Sequence, residues 1–131
     1  MVHIVDTVAG AILQSGQKRV GLLGTRFTME DPFYGDRMRH QFCIDAIVPG
    51  ASERQAVHEV IYNQLCHGVI RPESRALLQG IIERLARDGA EAVILGCTEI
   101  PLLISQAHSS LPVYDSTAIH AAAAVEFALQ G

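Results

Sequence analysis

Two hydrophobic periods alternate along the chain. Residues 4–15 place Ile4, Val5, Val8, Ile12 and Leu13 at helical spacing, with Gly16 positioned to close the helix. Val20-Gly21-Leu22-Leu23 follows; it is too short for a helix and ends at Gly24, so it reads as a buried strand. Residues 29–42 carry a helical pattern interrupted by Pro32 and Gly35, with Pro32 as the alternative start. Cys43 to Val48, before Pro49-Gly50, is a second strand. Ser52 is placed to cap a helix whose inner face is Ala56, Val57, Val60, Ile61 and Leu65, ending at Gly68. Pro72 opens another helix, with Leu77, Leu78, Ile81, Ile82 and Leu85 inward and Gly89 as its stop. Ala92 to Gly96 is the third and most apolar strand, and Pro101 permits a short helical turn. Leu111 to Tyr114 is a brief fourth strand that Pro112 assigns to a sheet edge or a strand start. Asp115, Ser116 and Thr117 offer caps for a last helix reaching Leu129.

Strands at 20–24, 43–48, 92–96 and 112–114 that alternate with amphipathic helices specify a parallel sheet covered on both faces. The expected fold is α/β: a three-layer α/β/α domain with a parallel four-stranded sheet. A chain of 131 residues has room for one such domain, spanning 1–131, and 49% hydrophobic residues can build its core. The last helix stands apart. From Ala118 to Leu129 it is apolar nearly all round, broken mainly by His120 and Glu126, and such a helix expects cover on more than one side. Ala118, Ile119, Ala122, Val125, Phe127 and Leu129 therefore suggest a homo-oligomer with residues 116–130, and the helix at 4–15, buried between chains.

Charge and cysteine content narrow the partners. Ten Lys and Arg stand against fourteen Asp and Glu, a formal charge of −4, and no basic stripe tracks a phosphate backbone. Nucleic acid is not an expected partner. Neither is a membrane, since no apolar run approaches the ~18 residues of a span. Cys43, Cys66 and Cys97 are odd in number and in no metal-ligand spacing, which favours a reducing cytoplasm over a disulfide framework or a zinc site. Cys43, in its strand, and Cys66, beside Leu65, are expected to be structural. The lone lysine, Lys18, precedes a strand at the end of the sheet away from any ligand, so pyridoxal phosphate has no Schiff-base partner. Dinucleotide and P-loop glycine patterns do not occur, and no metal or cofactor is called for.

In open parallel sheets, ligands sit beyond the carboxyl ends of the strands. Leu23-Gly24-Thr25 closes the first strand, and Leu95-Gly96-Cys97-Thr98 closes the third. Each glycine lets the backbone turn sharply beside a ligand. Thr25, Thr28, Cys97 and Thr98 then supply groups for a small anionic or zwitterionic molecule. The alternative use of such a threonine is to cap the next helix. Cys97 lies between a buried strand and the turn opened by Pro101, where backbone amides favour a thiolate and Glu99 opposes one. His67, beside Gly68, and His120, near the Asp115–Thr117 loop, read as surface or capping residues.

GLLGTRFTM (21–29), ILGCTEIPLL (94–103) and PVYDSTAIHAAAAVEF (112–127) resemble the aspartate/glutamate racemase family, enzymes that invert amino acids without a cofactor. The likeness runs over essentially the whole chain. The broad-specificity branch looks closer than glutamate racemase, whose comparable motif has His where this chain has Glu99. The resemblance implies two similar α/β domains facing across a cleft, each contributing one cysteine. One thiol group removes the α-proton and the other returns a proton on the opposite face. By this resemblance Cys97 is one of the two acid/bases, and Thr25, Thr28, Thr98 and Glu99 contact an amino acid or other small carboxylate. The chain matches the second half of such a protein, and neither Cys43 nor Cys66 stands in the motif of the first half. The other thiol is thus expected from a complementary N-terminal domain. Aspartate-specific members tend to carry lysine where this chain has His67, which weighs against a preference for acidic substrates.

Three functions fit these residues. The chain is half of an amino-acid racemase, expected to turn over weakly or not at all alone. Or it is a non-catalytic or remnant module that binds small carboxylates through Thr25, Thr28 and Thr98. Or it performs single-cysteine chemistry like that of arylmalonate decarboxylases, where one thiol protonates an enolate-like intermediate.

Overall fold

The computed structural model describes residues 3–130. Its elements are α1 (Ile4–Gln14), β1 (Arg19–Leu23), α2 (Arg26–Glu30), α3 (Pro32–Phe42), β2 (Asp45–Ile47), α4 (Ala51–Asn63), α5 (Pro72–Arg87), β3 (Ala92–Leu95), β4 (Val113–Asp115) and α6 (Ser116–Gln130). Short 3-10 turns cover Leu65–His67, Ile100–Leu102 and Gln106–His108. The four strands are parallel, in the order β2-β1-β3-β4. This is the α/β fold that the alternation of apolar runs predicts.

Both faces of the sheet are covered, so each strand sends alternate side chains into a different core. Val20, Leu22, Ala92 and Ile94 point to one side, where Val5, Val8 and Ile12 of α1 and Met38 of α3 meet them. Leu23, Val93 and Leu95 point to the other, against Val57, Val60 and Ile61 of α4 and Leu78, Ile81, Ile82 and Leu85 of α5. A fully buried side chain of this kind stabilises the fold by roughly 1.5–3 kcal/mol before entropy is counted. Gly21 shares the second side. A Cβ there would lie 2.8 Å from Leu85 Cδ1, so a side chain at this position would require the tip of Leu85 to move.

Hydrogen bonds and charges tie the amino end of the sheet. Glu91 accepts from the backbone N–H groups of Lys18 (2.9 Å) and Arg19 (3.1 Å), and these bonds hold its carboxyl below the usual range. The Tyr114 hydroxyl donates to Gln17 Oε1 (2.6 Å), and Asp45 pairs with Arg19 and Arg39. Between the helices on one face of the sheet, Arg37 on α3 grips Asp6 on α1 through two N–H···O bonds of 2.7 and 2.8 Å.

Several local expectations are corrected. Cys43 belongs to no strand: it ends α3 in the left-handed conformation (φ 56°) and is exposed. That turn returns the N–H groups of Cys43 and Ile44 to the carbonyls of Arg39 and Met38, and β2 begins only at Asp45. Cys66 is also exposed, because buried Leu65 takes the inward position of their 3-10 turn. Gly50, not Ser52, precedes α4, without a side-chain cap. Leu77 is 37% exposed, since Ser74, Leu78, Ile81, Ile82 and Leu85 complete the inner face of α5.

The last helix packs on α1, with Thr7 Oγ1 3.5 Å from His120 Nδ1. Its remaining surface is open: Val125 is 60% and Leu129 83% exposed, while the Phe127 side chain lies outside the described part. Among the described residues no helix is long and apolar enough to cross a membrane, and no cluster of three metal-ligating side chains occurs.

Candidate functional site

The carboxyl ends of β1 and β3 lie side by side, with Leu22 opposite Ile94 and Leu23 opposite Leu95. The Gly96 N–H continues the ladder to Leu23 O at 2.7 Å. The two loops that follow therefore emerge together, although 72 positions separate Thr25 from Cys97 in sequence.

A side chain would be crowded at the glycines where they touch. A Cβ on Gly96 would stand 3.1 Å from Leu23 O, 3.2 Å from Leu22 Cδ1 and 3.5 Å from Thr28 Cγ2. A Cβ on Gly24 would stand 3.3 Å from Thr28 Cβ. The Thr28 side chain thus lies across both glycines and joins the two loops. Thr25 is the N-cap of α2: its Oγ1 accepts from Thr28 N–H at 3.3 Å and lies 3.2 Å from Thr28 Oγ1. Capping and presentation of a hydroxyl pair are here the same act, because the cap fixes both side chains at the sheet edge.

On the other loop Cys97 is half-buried and packs against the α4/α5 core. Its Sγ accepts from Ile100 N–H at 3.4 Å. Burial pushes the thiol above its ordinary pKa, the backbone N–H groups of Ile100 and Glu99 pull it back, and the Glu99 carboxylate adds to the rise. Thr98 is exposed and Glu99 partly buried on the same loop. The buried Ser116, which opens α6, donates its hydroxyl to Leu95 O at 2.9 Å and braces the end of β3.

The edge that carries these groups is open. A hollow of about 300 Å³ at the ends of β3 and β4 is lined by Leu95, Pro101, Ile104 and Asp115; others, of about 310 Å³ and 440 Å³, are lined by Val60, Gln64, Ser74 and Leu77 and by Gly10, Ala11, Ile119 and Ala122. His120 faces Thr7, and His67 is exposed on its 3-10 turn. His58 of α4 had no sequence signal. It accepts from Arg26 N–H at 3.0 Å, a contact across 32 positions that helical periodicity cannot register.

Comparison with known proteins gives this edge a context. The family model described as Asp/Glu/Hydantoin racemase matches residues 1–124. The fold is similar to the crystal structure of a candidate Asp/Glu racemase from Yersinia pestis, with 45% identity and a TM-score of 0.92, covering 97% of this chain and 55% of that one. It is also similar to an aspartate racemase homologue from Pyrococcus horikoshii, with 36% identity and a TM-score of 0.90, covering 98% of this chain and 56% of that one. An uncharacterized protein of Pectobacterium carotovorum is 35% identical over 106 residues, 81% of this chain and 69% of its own length. The chain thus spans a little over half the length of the two solved relatives. By the match of the family model over nearly all its residues, the chain belongs to the Asp/Glu/hydantoin racemase family.

Proposed function

We propose that the chain supplies one side of a cofactor-independent amino-acid racemase site, with Cys97 as one of its two thiol acid/bases. The supporting observation is the convergence of the Thr25–Thr28 hydroxyl pair and the half-buried Cys97 thiol on adjacent strand ends. In this reaction the Thr25, Thr28 and Thr98 hydroxyls hold the carboxylate or ammonium of a small amino acid. Glu99, beside the thiol, offers a carboxylate to the ammonium. A base on the opposite face takes the α-proton, and the protonated Cys97 delivers one to the face it covers. The opposite base is the second thiol. It comes from a complementary domain or a second chain, in a reducing cytoplasm where both sulfurs stay free.

The partner has surface to meet. Phe27 and Leu102, on the elements that follow β1 and β3, are 64% and 55% exposed. A covering body would also exclude water, which strengthens every charge interaction around the thiol.

The test is α-proton exchange of L- and D-amino acids in deuterated water. Deuteration with inversion supports the racemase. Deuteration with retention supports single-thiol chemistry instead. Binding without exchange leaves a carboxylate-binding module, which the raised thiol pKa also accommodates.

A further inference from the structure

The loop bearing Thr25 and Thr28 is held by more than its own cap. Arg26 N–H, at the start of α2, donates to Nδ1 of His58 on α4 at 3.0 Å. That bond needs a neutral imidazole with its proton on Nε2. Aromatic rings fix the imidazole on two sides. Phe27 meets it edge-on, with centroids 5.6 Å apart and planes at 82°, and Tyr62, one turn along α4, lies at 4.5 Å and 37°. On the outer side of α2, Arg26 bonds Gln55 and pairs with Glu30, which also pairs with Arg54. A helix of five residues has little stability of its own, so such ties set its orientation.

The Arg26 N–H belongs to the peptide plane that also carries the Thr25 carbonyl. Fixing that N–H therefore holds the plane leading out of Thr25 and the start of α2, while the cap bond from Thr28 N–H engages the Thr25 hydroxyl itself. We infer that His58 is a positioning residue for the ligand-contacting loop, aiming the Thr25 and Thr28 hydroxyls along the carboxyl edge of the sheet through its bond to Arg26 N–H. What those hydroxyls meet rests on the proposed function; the tie itself does not.

Three variants separate the two. His58→Phe keeps a ring between Phe27 and Tyr62 but removes the acceptor. His58→Asn returns an acceptor oxygen near the place of Nδ1. Thr25→Val removes the hydroxyl itself. The measurements are hydrogen exchange of the Arg26 amide, titration with L-glutamate and L-serine followed by NMR, and the thermal midpoint. In His58→Phe the Arg26 amide should lose up to roughly tenfold in protection, the range of one net hydrogen bond. Amino-acid binding should weaken by a similar factor, with the thermal midpoint lowered by no more than several degrees, and His58→Asn should recover both. Equal Arg26 protection in His58→Phe overturns the positioning role. So does full binding by His58→Phe alongside impaired binding by Thr25→Val. If Thr25→Val or the unaltered protein shows that neither amino acid uses the hydroxyl, the ligand role of the loop falls, whatever the Arg26 amide does.

Discussion

At the amino end of the sheet, Glu91 accepts two backbone N–H groups, Tyr114 reaches Gln17, and Asp45 answers two arginines. At the carboxyl end the same strands finish in glycines, two threonine hydroxyls and a thiol, with Phe27 and Leu102 exposed on the elements that follow. One end spends its polar groups on closing the fold. The other ties them only to the backbone of its own loops and to one another, as in the Thr25 cap and the Cys97–Ile100 contact, beside exposed Thr98. A parallel sheet permits this division because every strand points the same way, so one edge collects all the loops that follow strands. Polar residues at the first edge should therefore govern stability with little effect on chemistry, and those at the second the reverse.

The sharpest break would come from Cys97. Cys97→Ser should remove α-proton exchange by a factor on the order of 10²–10⁴, the usual worth of a positioned acid or base, while leaving the thermal midpoint near its original value. Retained exchange would move the chemistry away from this edge. A second large effect concerns assembly. Replacing Val125 and Leu129 on α6 with aspartate should reduce any oligomer to the 14.2 kDa chain in sedimentation, because both side chains are mostly exposed and apolar. Gly96→Ala should cost about 1–3 kcal/mol in denaturant unfolding, as the new methyl meets the Leu23 carbonyl and Leu22. It should also displace the Cys97 loop, joining the two ends of the comparison in one variant.

The smallest effect belongs to the amino end. The Glu91 carboxyl is held below its usual pKa by the N–H groups of Lys18 and Arg19. Its contribution is thus present above the unfolded value and fades as pH falls through the folded one. Glu91→Gln should flatten that acid-side loss in thermal melts and leave exchange at Cα unchanged.

Much of this division is written in the chain. Ala92 to Leu95 are continuously apolar because β3 is buried on both faces, and the shortness of the run before a glycine favours a strand. Gly24-Thr25 and Gly96-Cys97 mark the strand ends because a side chain at either glycine would crowd Thr28 or the neighbouring strand, and the edge tolerates polar side chains. Pairwise geometry was not legible. Cys43 reads as the first residue of a strand, yet the cap of α3 needs a left-handed residue there and leaves its sulfur exposed. Ser52 has the chemistry of a cap, but α4 begins two residues earlier than such a cap would place it, after Gly50. Leu77 fits the periodicity of α5, while Ser74, turned inward toward Gln64, takes a place that hydrophobicity would give to leucine. The His58–Arg26 bond joins two helices whose relative placement no local pattern encodes.

The two outer strands also decide how this molecule can misassemble. β2 and β4 are three residues each, one followed closely by Pro49 and the other preceded by Pro112, with Asp45 and Asp115 in the strands themselves. Short, charged, proline-flanked edges offer a poor template for an incoming strand. Fibre growth by strand addition is thereby discouraged at both margins of the sheet, and association is left to helices and loops, whose contacts are side-chain specific and readily reversed.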